Sequence, residues 1–144
     1  MKHLFFSLVL ALALVPQACS TSSEEPEPTV DFETAIRHSE WTAKASITED
    51  GNIVPIYRIL KFVSDKMFFE DYYIDGTPTG NNPSGATYYL FWDKGIIDAH
   101  FGQRRETWYI YQSDDNLPGM KNDWGYILYG PNEDDVFYPG NIFK

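Results

Sequence analysis

A chain of 144 residues that sets 11 Lys and Arg against 21 Asp and Glu, for a formal net charge of −10, is a poor candidate for unassisted nucleic-acid binding, because phosphate contact depends on basic side chains. The same charge is repelled by anionic membrane surfaces, steers a cationic partner inward, and also serves plain solubility. Hydrophobic residues at 43% and aromatic residues at 17% suffice for a core without metal or disulfides, and the single cysteine excludes a disulfide within the chain.

Lys2 and His3 precede an apolar run from Leu4 to Val15, and Ala18 is a small residue before a cleavage point. That is the layout of a secretory signal, expected here over residues 1–18. The run is well short of the roughly 20 apolar residues that span a bilayer, and no later segment approaches that length. Pro16-Gln17-Ala18-Cys19 resembles the lipobox of bacterial lipoproteins, although Pro16 stands where that family usually has Leu or another aliphatic. The resemblance implies cleavage before Cys19 and acyl chains on its thiol. The alternative is an ordinary signal cut after Ala18, which leaves Cys19 as a free thiol.

Acylation would anchor the protein durably, at about 0.8 kcal/mol per buried methylene. Ser20 occupies the place where many lipoproteins carry an Asp that retains them at the inner membrane, so the resemblance implies an outer-membrane destination. Glu24, Glu25 and Glu27 are similar to the acidic export tract of Bacteroidetes-type surface lipoproteins, which implies display at the cell surface. Residues 19–29 form the anchor and a tether. Pro26 and Pro28 favour an extended chain of about 3.1 Å per residue, so the tether holds the domain on the order of 30 Å from the bilayer.

Residues 30–144 leave room for one domain. Asp31 to Glu40 carries apolar residues at Phe32, Ala35 and Ile36 behind a capping Asp31, and predicts a short helix. From Trp41 onward the period becomes two. Strands are expected over Trp41–Thr48 and Ile53–Val63, joined by a turn containing Asp50-Gly51, with Pro55 marking an edge or a bulge. Ser64-Asp65-Lys66 turns into a strand over Met67–Ile74. Asp75 to Gly85 is read as the longest irregular loop. Thr87–Trp92 and Ile96–Phe101 make another hairpin, Thr107–Gln112 follows, and Ser113 to Asp123 is a second polar loop. Trp124–Tyr129 and Val136–Phe143 close the chain.

Eight strands with mostly short turns predict an all-β fold, an antiparallel up-and-down meander closing into a barrel, since closure removes exposed edges. With its short N-terminal helix and a Trp at the start of the first strand, the pattern resembles the lipocalin-like (calycin) group. Ser39-Glu40-Trp41 stands where that group has Gly-x-Trp, and the last strand has no Arg to cover the Trp. An open α+β sheet with one helix on its face is the alternative.

No enzyme chemistry, metal or cofactor is expected. With Cys19 committed to lipid, His38 and His100 are the histidines of the mature chain, and no nucleophile motif lies beside them. Asp98 and His100 share the outer face of one strand and read as a solvated pair. Acidic clusters at Glu49-Asp50, Asp114-Asp115 and Glu133-Asp134-Asp135 fall in turns, where Asp is favoured without any ion, and none has the EF-hand spacing. Asn132 to Asp135 is the stretch best suited to adventitious calcium.

The aromatic residues are more informative. Tyr88 to Trp92 and Trp108 to Tyr111 are apolar or aromatic on both faces, so one face fills the interior while the other packs on a second layer or lies exposed. Tyr and Trp suit a wet, partly apolar site because each carries a polar tip. Tyr89, Trp92, Trp108, Tyr109, Trp124 and Tyr126 are the candidate lining of a barrel mouth that takes a small apolar ligand or stacks on a sugar ring. Packing alone also accounts for them, because small barrels fill themselves with side chains. Two other roles are compatible with the sequence: an acidic inhibitor or immunity lipoprotein directed at a basic secreted hydrolase, and a structural subunit of an envelope complex.

Overall fold

The computed structural model describes residues 31–81 and 85–144; the expected signal peptide, Cys19 and the tether to Thr29 lie outside the described residues. The first hairpin follows directly from its turn. Asp50 and Gly51 take positive φ values of 49° and 82°, as a two-residue turn of the type that matches strand twist requires. They set Glu49 opposite Asn52 and bring β1 (Glu40–Glu49) against β2 (Asn52–Val63) in continuous register. β3 (Lys66–Tyr73) begins its pairing with β2 only at Ile56↔Tyr73. Pro55 therefore pairs with Ser46 on one side and has no partner in β3. It is an edge proline, and the register shows no bulge.

β4 (Ala86–Phe91) and β5 (Ile96–Phe101) are joined by a single 3-10 turn, Trp92–Lys94, and β6 (Arg104–Gln112) returns beside β5. β7 (Tyr126–Tyr129) and β8 (Val136–Pro139) are short. β8 then pairs with β1 through Trp41↔Pro139 and Thr42↔Tyr138. Every strand has two neighbours, and the sheet is a closed antiparallel barrel of eight strands in chain order. The expected meander is thus the observed architecture, and the open sheet is excluded by the β1–β8 pairing.

Four strands stop or start short of their expected runs: β3 ends at Tyr73 and β4 at Phe91, each one residue early, while β7 begins at Tyr126 and β8 ends at Pro139. Trp124 belongs to the connection between β6 and β7, which runs from Ser113 to Gly125 and is longer than the connection between β3 and β4 that contains Asp75 to Gly85, the loop expected to be the longest. The run Val136–Phe143 stops as a strand at Pro139, which has no N–H for the ladder, and Gly140 then turns at φ 105°. The tail after it lies on the outside of the barrel. The Thr42 hydroxyl donates to the Gly140 carbonyl at 2.7 Å, the Phe143 ring packs against Tyr57 and Tyr72 at 5.8 and 5.3 Å, and Lys144 pairs with Glu40 at 2.7 Å. This accounts for the complete burial of Thr42 on an outward-facing position.

Inside, alternation along each strand turns Trp41, Ala43, Leu60, Phe62, Met67, Tyr88, Ile97, Ala99, Trp108, Leu128 and Phe137 inward as one buried cluster. One end of this cluster is closed by α1 (Phe32–Ile36). A five-residue helix cannot hold itself in water; this one is capped by Asp31, whose carboxylate accepts from the Thr34 N–H and hydroxyl, and is held by burial of Phe32 and Ile36. The Phe32 ring stacks on Trp92 at 4.5 Å and meets Trp41, Trp124 and Tyr126 at 6.4, 5.5 and 4.8 Å. Below it, the Trp41 indole N–H donates to the Ser39 hydroxyl at 2.7 Å, and that hydroxyl donates to the Ile36 carbonyl at 2.7 Å. Ser39 thus connects the end of the helix to the first barrel residue, and Phe32 and Trp124 cover the Trp.

Phe32→Ala is expected to lower the unfolding free energy by about 3–5 kcal/mol through the cavity it opens. Ser39→Ala is expected to lower it by about 1–3 kcal/mol, because the buried Trp41 N–H loses its acceptor. Urea unfolding reads both; a Ser39→Ala chain with the wild-type midpoint contradicts the bridging role.

Candidate functional site

At the end opposite α1 the barrel is ringed by the turns after β1, β3, β5 and β7, and no helix among the described residues plugs it. The inward positions change character here. On β2, Arg58 occupies the inward row that continues as Leu60 and Phe62; on β3, Asp71 follows Met67 and Phe69; on β6, Arg104 and Glu106 precede Trp108. Among the described residues, the strands place charge on inward positions only near this rim, above an apolar floor.

Phe69, Phe101, Trp108 and Phe137 form the walls. Phe69 is the hub: its ring lies 6.0 Å from Phe101, 5.7 Å from Trp108 and 6.3 Å from Phe137, while Trp108 and Phe137 are 5.3 Å apart. Together with Arg58, Arg104, Glu106 and the β7–β8 turn residues Pro131, Asn132 and Asp135, they surround an opening of ≈ 240 Å³. That is smaller than the roughly 300–1,000 Å³ of sites for drug-sized ligands, and the floor beneath it is filled by side chains. The opening fits a small molecule, not a long lipid.

The charged groups of the mouth are paired. Arg58 binds Asp71 through two parallel hydrogen bonds of 2.8 Å, from Nε to Oδ1 and from Nη2 to Oδ2. Asp71 is only 5% exposed. Its hydrogen bonds hold the Arg58 guanidinium above its ordinary pKa, against the opposing effect of burial. Arg104 Nε lies 3.1 Å from Glu106 Oε1, and Asn132 donates to Asp135 Oδ2 at 2.6 Å. Among the described residues, no three His, Cys, Asp or Glu side chains converge as a metal site.

The six aromatic residues singled out from the sequence fall in three places. Trp108 is 2% exposed and lines the mouth. Tyr89 and Tyr109 point away from the interior, at 53% and 44% exposure, because the alternation that turns Tyr88 and Trp108 inward turns their neighbours outward. Trp92, Trp124 and Tyr126 gather on Phe32 at the plugged end, where with Asp31 and Asp123 they border a second cavity of ≈ 220 Å³. The mouth residues that this reading missed are Phe69, Phe101, Phe137 and the charged set. Their available signal was parity: Arg58 and Asp71 are charges in otherwise apolar inward rows.

Asp98 and His100 lie on the outer face as expected, 3.0 Å apart, with Arg105 at 2.5 Å from the same carboxylate oxygen. Arg105, and then His100, hold the Asp98 carboxyl below the usual carboxylate range. No family model, curated protein or solved structure matches the chain.

Asp71→Ala is expected to destabilise the fold by about 2–3 kcal/mol, below the 3–5 kcal/mol of a fully enclosed pair, because the Arg58 side chain keeps 31% of its exposure. The double variant Arg58→Met with Asp71→Leu is expected to recover most of that loss, since two apolar groups leave no unpaired charge. Equal losses in the single and double variants, read by urea unfolding, contradict the pairing account.

Proposed function

We propose that this chain is a lipid-anchored binding protein without chemistry of its own, which takes a small ligand with an apolar or sugar-like face in the open mouth of its barrel. The observation that carries this reading is the four-ring opening of ≈ 240 Å³ beside charged side chains. Aromatic walls supply area and stacking, and a few fixed polar groups supply orientation, which is the usual division of labour in small-molecule sites. The bases and acids of the mouth engage one another, Arg58 with Asp71 and Arg104 with Glu106, an arrangement that favours holding a ligand over transferring protons.

The address comes from the N-terminal residues. Cys19 carries the acyl chains, residues 19–29 extend from the outer membrane, and the acidic tract directs the domain to the cell surface. Held there on a short tether, the mouth samples the medium at the membrane.

Calorimetric titration of the chain with a panel of monosaccharides and free amino acids tests the binding role. At least one class is expected to bind, with Phe101→Ala weakening it by about tenfold and Trp92→Ala, at the plugged end, leaving it unchanged. No binding across the panel, or binding lost only in Trp92→Ala, contradicts the assignment to the mouth. Cys19→Ser is expected to abolish incorporation of labelled palmitate in the producing cell; a variant that still labels contradicts the anchor.

A further inference from the structure

We infer that the outer face of β6 and β7 is a docking groove for an extended segment of another protein rich in Lys or Arg. Tyr109 and Tyr111 project outward from β6, and register places them beside Tyr129 and Ile127 of β7. Tyr109 and Tyr111 are 44% and 52% exposed. The groove they border measures ≈ 600 Å³ and is bounded at one end by Ser113 and Asp115 and at the other by Pro131 and Glu133. Two acidic turns from opposite ends of the barrel thus meet at the two ends of one aromatic depression.

The acids there are unengaged. Asp114, Asp115, Glu133 and Asp134 take part in no salt bridge among the described residues, whereas Asp71 and Glu106 of the mouth are paired with Arg58 and Arg104. Two other outward tyrosines, Tyr57 and Tyr72, are instead covered by Phe143 of the chain's own tail. No described segment covers the β6–β7 set.

Ring geometry selects among occupants. A sugar-stacking surface presents coplanar rings, but Tyr111 meets Tyr129 edge-on, at 83° and 5.0 Å, and is tilted 40° from Tyr109. Faces turned in different directions suit cationic groups lying over them, with the flanking carboxylates adding charge complementarity and the net charge of −10 adding long-range attraction. The groove and the mouth meet at Pro131 and Asn132 of the β7–β8 turn, but Tyr111 and Asp115 line the groove and not the mouth, while Phe101 lines the mouth and not the groove, so their variants tell the two readings apart.

The test uses the full chain in detergent and a fluorescent octapeptide of alternating Leu and Lys, read by anisotropy at low salt. The peptide is expected to bind, and Tyr111→Ala, which changes no charge, to weaken it by about tenfold. Asp115→Asn with Glu133→Gln is expected to weaken it comparably, while Asp50→Asn with Glu33→Gln, an equal charge change away from the groove, shifts it by less than about twofold. Absence of peptide binding overturns the inference. So does an equal response to the two charge pairs with Tyr111→Ala silent, which marks bulk electrostatics, and so does binding of a neutral oligosaccharide in place of the peptide.

Discussion

The hydrogen bond from the Trp41 indole to Ser39, continued to the Ile36 carbonyl, is the contact through which the N-terminal helix becomes part of the barrel. An eight-stranded barrel encloses a space that side chains just fill, so what happens at its two ends decides whether anything else enters. At the Trp41 end, Phe32 is driven into a ring of aromatic residues and closes it. Strand alternation then fills the middle with Leu60, Phe62, Met67, Ile97 and Leu128, which are at most 2% exposed. The opposite rim keeps an opening of ≈ 240 Å³ into the interior.

That rim is where the interior stops being purely apolar. A carboxylate as enclosed as Asp71 is tolerated because Arg58 meets it with two hydrogen bonds. Packing alone offers no reason to place such a pair among Phe69, Trp108 and Phe137, since apolar residues would fill the same volume with no desolvation penalty. A polar anchor at the edge of an aromatic opening has a reason if something with polar groups comes to rest there. The outer face of β6 and β7 follows a different logic: Asp115 and Glu133 take part in no salt bridge among the described residues, and Tyr109 and Tyr111 are exposed.

Much of this fold is legible in the sequence. Asp50-Gly51 announces the first hairpin, Ile96 to Phe101 reads as the strand it is, and the run of short turns implies closure. The errors share one origin: composition marks apolar stretches but not where the ladder ends. Trp92, Trp124, Ile142 and Phe143 extend apolar runs, yet they pack as a turn residue, a loop residue and a tail against the barrel. Ser39 illustrates the converse. It departs from the Gly-x-Trp pattern of the group the chain resembles, and its hydroxyl is what satisfies the Trp. The mouth was harder to read because its walls come from Phe69, Phe101 and Phe137, single residues on three strands that only register brings together.

The four tryptophans report on the two ends at once: Trp108 lines the mouth, while Trp41, Trp92 and Trp124 surround Phe32. Recording the four indole N–H resonances by nuclear magnetic resonance during titration with monosaccharides and free amino acids tests the account most directly. It predicts that the Trp108 signal moves with the ligand while the Trp41 signal, held by Ser39, stays in place. Movement of Trp92 and Trp124 with Trp108 unmoved would put the site at the helix-plugged end and contradict it.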